Sequence, residues 1–192
     1  MQLLSGFAIA TLSALAAEVW PRLDHYTTPV WARDYRYSLG LILVAMATML
    51  APDAWGVALS FSLGWAMLLD LRYLRVALPV QALLIVTALG SAHGQGDHLF
   101  LGALLSGAYL VYVVFVWSRR RIALGLGDTS IIACAGLSVG LVATGAVALS
   151  GYLIAALAPR SEKTRPFVFY LGAALLISMI LLRLLALSPL LA

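Results

Sequence analysis

Charge is scarce in this sequence. Only 10% of its 192 residues are Asp, Glu, Lys or Arg, against roughly 25% in an average soluble domain. Twelve bases and eight acids cannot coat a chain of this size with polar surface, which excludes an ordinary soluble domain. The apolar content excludes a disordered chain. Cysteine is nearly absent as well. Cys134 alone permits neither a disulfide framework nor a Cys-based zinc cluster. A net charge of +4, scattered along the chain, forms no nucleic-acid groove. What is present is hydrocarbon: 63% of the residues are hydrophobic and the mean hydropathy is +1.01. Such residues face lipid. A bilayer-spanning helix takes about 20 residues, so the length allows about eight spans and almost nothing beyond them.

Apolar runs separated by short polar loops set the organisation. Spans are expected over 1–20, 37–51, 55–69, 76–90 and 98–117, with a last span over 166–186. Between them lies a stretch of 30 residues without charge, 129–158. It reads either as one long tilted helix or as two short ones broken near Gly140 to Gly145. Lys and Arg collect on the cytoplasmic side of membrane proteins, and that rule favours the break. With it, eleven of the twelve bases (Arg22, Arg33, Arg36, Arg72, Arg75, Arg119 to Arg121, Arg160, Lys163 and Arg165) share one side. Arg183, late in the last span, is the exception and snorkels to the outer headgroups. The fold class is therefore all-α integral membrane with about eight transmembrane helices and both ends outside. Residues 1–192 form a single membrane-embedded domain: an N-terminal span with a short cytoplasmic loop over 1–35, then a helix bundle over 36–186. The segment Leu12 to Ala17 (LSALAA) resembles a signal-peptidase site. No base precedes it, so the first span is expected to be retained.

Two acids stand apart from the loops. Asp70 closes the apolar run Trp65 to Leu69, and Asp128 follows Gly125-Leu126-Gly127 and opens another apolar run. Under this topology both lie at the cytoplasmic boundary. An ionisable group at membrane depth is costly and is a functional candidate. Two carboxyls meeting there can share one proton, one acting as base and the other as acid. Such a pair deprotonates a water and protonates a leaving amine. This is aspartic proteolysis, which needs neither a covalent nucleophile nor a metal or other cofactor. The two glycines allow close backbone approach. Gly-x-Gly-Asp is a weak pattern by itself, since Gly94-Gln95-Gly96-Asp97 repeats it. That copy falls in an outer turn, a membrane thickness from Asp70. It sits beside His93 and His98, with His25 on the opposite face, so the histidines form no metal set.

In order along the chain, these residues resemble the type IV prepilin peptidases, membrane aspartic proteases of the GxGD type. Asp70-Leu71-Arg72 with Pro79 resembles the family's first-aspartate motif. Gly125-Leu126-Gly127-Asp128 with Ala135-Gly136 and Gly140 resembles the second. Pro166-Phe167 with Leu171-Gly172 resembles the segment that opens the family's last helix, and Tyr35-Arg36-Tyr37 an Arg-Tyr-Pro before the first aspartate. The sequence departs at Ser130, where Lys is usual. It departs also at Pro79, nine residues after Asp70, at Val80, and at Val168-Phe169, where Gly-Pro is usual. The loop over 21–35 has no Cys, so the chain resembles the short members without the zinc insert, and the N-methylation of the long members is not carried over. The resemblance implies a bundle like that of the GxGD proteases with Asp70 and Asp128 catalytic, in the bacterial inner membrane with its site at the cytoplasmic face. It implies a prepilin or pseudopilin substrate with a short basic leader, a Gly before the scissile bond and an apolar helix after it. The basic loops then serve topology and anionic lipid.

Two other readings stay open. One is a non-enzymatic membrane protein, a transporter or a pilus-assembly scaffold. The other is a protease like presenilin or signal peptide peptidase, whose downstream Pro-Ala-Leu motif is missing here. For Asp70 the bland alternative is a helix-end carboxylate paired with Arg72 or Arg75.

Overall fold

The computed structural model describes residues 2–23, 35–92, 107, 111, 126–157 and 166–187. These form six helices, with no strand among the described residues: α1 (Gln2–Leu23), α2 (Tyr35–Met49), α3 (Ala54–Tyr73), α4 (Leu78–Ser91), α5 (Leu126–Leu157) and α6 (Phe167–Leu187). Apart from residues 107 and 111, the expected span over 98–117 lies outside the described residues, as do the loops carrying Arg33, Arg119 to Arg121, Arg160, Lys163 and Arg165, and Gly125, Asp97 and the three histidines. Two helices, Ala54–Tyr73 and Phe167–Ala186, are long and apolar enough to cross a membrane, and shorter apolar helices accompany them.

α3 is the hub. Its sequence has no polar stripe, and a helix apolar all round is buried all round. It packs against α1, α2, α4 and α6, and Leu59, Leu63, Met67, Leu68 and Leu69 lose all solvent contact. Polar bonds tie the neighbours on, as they do inside membranes. The Ser13 hydroxyl of α1 donates to the Phe61 carbonyl at 3.2 Å, and the Ser62 and Thr87 hydroxyls of α3 and α4 meet at 2.9 Å. Asp53 caps α3, its carboxylate accepting from the Gly56 N–H at 2.7 Å. At the other end Leu74 turns into the left-handed region (φ 54°), and its N–H closes on the Asp70 carbonyl at 2.8 Å. α3 therefore runs almost a full turn past Asp70. The expected span ended at 69. Arg72 extends the helix by pairing with Glu18 of α1, a tertiary contact that span-counting does not see.

The uncharged stretch is broken. Gly140 has φ 78° and ψ 176° inside α5, a conformation open essentially to glycine alone. The break folds the helix back. In a straight helix Gly127 and Gly151 would stand about 36 Å apart at 1.5 Å per residue. Here a Cβ on Gly127 would meet Val168 and one on Gly151 would meet Leu171, three residues further along α6. The first arm of α5 thus ascends beside α6, where Ser138 and Met179 line one cavity. The second arm descends until Tyr152 reaches Phe167, with ring centroids 4.6 Å apart. Of the two sequence readings of 129–158, two short arms is the one observed.

Among the described residues, much of the exposed surface is hydrocarbon. Phe7, Leu12 and Leu15 on α1, Leu149, Leu153 and Leu157 on α5, and Leu181 and Leu185 on α6 are all exposed.

Candidate active site

One end of the bundle collects the end of α3 and the starts of α2, α5 and α6. Asp70 comes from the last full turn of α3 and is buried. One of its carboxylate oxygens accepts the Phe169 N–H at 3.1 Å, and the Val168 N–H also donates to this carboxyl. These are first-turn amides of α6, and first-turn amides have no partner within their own helix. Pro166, buried just before α6, offers no side-chain acceptor. The helix therefore takes its cap from α3, 99 residues away in sequence. Arg72, the ion partner considered for Asp70, is engaged by Glu18 instead.

Asp128 lies in the first turn of α5, where a negative charge suits the helix dipole. It is partly exposed. The start of α5 is pressed onto the same piece of α6 that holds Asp70. A Cβ on Gly127 would stand 2.7 Å from a Val168 methyl and 3.4 Å from Val76. Only glycine lets the backbone come this near. The Asp70 carboxyl and the backbone just before Asp128 thus share the Val168-Phe169 turn as a neighbour, and Asp70 feels Asp128 as a like charge. Such an approach is costly unless a proton is shared between the groups. Replacing Gly127 by Ala is expected to push α5 off Val168 and Asp128 away from Asp70. Overpacking of this kind costs about 1–3 kcal/mol. Thermal unfolding in detergent should show the loss.

No protein-family model, curated protein or solved structure matches this chain.

The other motif residues serve the frame. Phe167 packs on Tyr152. Pro79 is exposed in the first turn of α4, where its missing N–H leaves no gap. Ser130, at the position where the resembled family has Lys, is buried and donates to the Gly127 carbonyl at 2.6 Å. It steadies the turn that carries Asp128. Cys134 is a buried packing residue. No group of three His, Cys, Asp or Glu able to hold a metal occurs among the described residues.

Sequence reasoning placed Arg36 in a motif and among the bases but gave it no partner, and it missed Tyr170 and Gln81. Arg36, counted there as one of the topology-setting bases, is buried, and its guanidinium donates to the Tyr170 hydroxyl at 3.2 Å. Tyr170 was not singled out at all. Its ring meets Phe169 edge-on at 5.6 Å, so α2 grips the turn that caps onto Asp70. Gln81 donates to the Val76 carbonyl at 2.7 Å and steadies the α3–α4 connection beside Gly127. One signal for the borrowed cap was available: a helix opening at Pro166-Phe167 carries no capping side chain of its own.

Proposed function

We propose that this chain is a membrane aspartic endopeptidase, of the kind its motifs resemble, that removes the short basic leader of type IV prepilins or pseudopilins at the cytoplasmic membrane face. The observation that carries the reading is the convergence of Asp70 and Asp128 on the first turn of α6. Two like-charged groups from distant helices reach the same end of the bundle, near enough for Asp70 to feel the charge of Asp128, and one of them is buried. In this mechanism one carboxylate takes a proton from water. The resulting hydroxide attacks the scissile carbonyl. The other carboxyl, protonated, gives its proton to the departing amine nitrogen. The Val168 and Phe169 amides hold the Asp70 oxygens in place throughout.

The membrane setting is supported by the leucine-rich exterior, which has no rationale in water. The eight-span arrangement is part of the proposal. It gains from the fold-back at Gly140, which puts both ends of α5 at the Asp70 end. It gains too from the placing of Arg36 and Arg72 at that end and of Asp53 at the other. Since Arg72 is paired with Glu18, its charge is offset and repels a basic leader less.

One observation favours a non-enzymatic scaffold. Both acids have structural work, Asp70 as a helix cap and Asp128 in a helix first turn. The substrate decides between the two readings. A prepilin co-expressed with this chain should be shortened to the mature form. A bulky residue in place of the Gly before its scissile bond should stop the conversion. A wild-type prepilin left at full length would sink the peptidase reading.

A further inference from the structure

Arg183 is the one base that the topology does not explain. It lies 14 residues beyond Phe169 on α6, about 21 Å along the axis, at the end of the bundle away from the two carboxyls. Its neighbours on the helix, Leu181, Leu184 and Leu185, are exposed, so its stem leaves the protein among groups that face hydrocarbon. A guanidinium there is costly without an anion. The only acid described at this end, Asp53, has one carboxylate oxygen committed to the Gly56 N–H.

Beside Arg183 is a cavity of about 340 Å³, within the size of a small-ligand site. Pro52 at the α2–α3 turn, Ser91 at the end of α4, Ser138 just before the Gly140 break, and Met179 line it with Arg183. The Ser138 hydroxyl is buried there without a hydrogen-bond partner. A buried polar group left unsatisfied costs about 1–3 kcal/mol, and turning this hydroxyl toward a polar ligand atom in the cavity would relieve it. The rim has the opposite sign. α2 and α4 end there, each presenting the negative pole of its dipole, and the Asp53 carboxylate is adjacent.

The geometry points to a binding site for the phosphoethanolamine headgroup of an outer-leaflet phospholipid. The phosphate seats on the Arg183 fork and accepts from the Ser138 and Ser91 hydroxyls. The ammonium faces Asp53 and the two helix ends, and the acyl chains run down the leucines of α6. The complementarity has both signs, so a zwitterionic headgroup fits better than a purely anionic one. The site rests on the membrane reading and is independent of peptidase activity. Retention of the chain in membrane pellets at alkaline pH checks the membrane reading separately.

The test uses the full chain in nanodiscs with three lipids, each carrying a diazirine on an acyl chain: phosphatidylethanolamine, phosphatidylglycerol and diacylglycerol. Crosslinks are mapped by peptide mass spectrometry. Phosphatidylethanolamine should label the peptides around Ser138 and Met179 to Arg183 about tenfold more than diacylglycerol does, the ratio expected of one charge-assisted contact. Arg183→Gln should remove that excess and Arg183→Lys keep part of it. Asp53→Asn should abolish the preference over phosphatidylglycerol. Labelling of the lipid-facing leucines on the second arm of α5 should be the same in all variants, which controls for folding. Equal labelling by the three lipids, stronger labelling by phosphatidylglycerol, an unchanged pattern in Arg183→Gln, or displacement by inorganic phosphate would each overturn the assignment.

Discussion

Asp70→Asn and Asp128→Asn should each end processing of a co-expressed prepilin while the protein remains in the membrane fraction at wild-type level. The argument turns on the double use of Asp70. Its carboxylate both caps α6 and, in the proposed mechanism, moves protons. An asparagine keeps an oxygen that can accept the Phe169 N–H, so α6 keeps its cap. It has no proton to trade, and general acid–base groups are worth about 10²–10⁴ in rate. Asp70→Ala removes both functions and should in addition lower stability by about 1–2 kcal/mol, the usual value of a lost N-cap. The pair of variants therefore separates chemistry from architecture. Stability unchanged with activity lost in Asp70→Asn supports the carboxyl as a reacting group. Full processing by Asp70→Asn, with loss only in Asp70→Ala, would reduce Asp70 to a cap and favour the scaffold reading. Asp128→Asn keeps a side-chain oxygen that can accept in the first turn of α5 and should show the kinetic defect. Asp97→Asn should process normally, since the sequence puts Asp97 a membrane thickness away. Immunoblotting of precursor and mature pilin, beside thermal unfolding in detergent, reads both quantities.

The second large effect is expected at the break in α5. Gly140→Ala forces a Cβ onto a backbone at φ 78° and ψ 176°, a region that costs about 1–3 kcal/mol for a residue other than glycine. The chain can relieve that strain only by straightening α5. Straightening would pull Gly151 off Leu171 and Tyr152 off Phe167, and the start of α6 would lose its support. Gly145→Ala is the matched control. Gly145 is exposed and a Cβ there meets nothing within 4 Å. In a regular helical turn the same substitution gains about 0.5–1 kcal/mol in helix propensity. The two variants should therefore shift the unfolding temperature in opposite directions. Equal shifts would mean that the break at Gly140 is not maintained in the folded protein.

Much of this was legible in the sequence, for identifiable reasons. Charge asymmetry and the glycines place a break within 140–145, and φ at Gly140 narrows that range to one residue. Asp70 and Asp128 stand out because carboxylates are rare in so apolar a chain, and the fold does bring them to one end. What could not be read is what each group holds. Arg36 looks like any base at a helix start, and its burial depends on a tyrosine 134 residues away. Arg72 looks like a partner for Asp70 two positions earlier. Successive helix positions point apart, and Glu18 on α1 faces Arg72 instead. The continuation of α3 past Asp70 has the same origin, since tertiary partners rather than local propensity set the end of that helix.

The cap that α6 borrows from α3 also fixes an order of events. Asp70 meets its amide partners across 99 residues, and Arg36 meets Tyr170 across 134. Contacts of such separation form late. The N-terminal part of a chain is also made and begins to fold before the C-terminal part exists. Until the last helix has left the ribosome and docked, the Asp70 carboxyl has no amides to hold it and Asp128 has no turn to lean on. The site is completed only with the final helix, so a chain cut short before Pro166 would hold both acids and no arrangement that joins them.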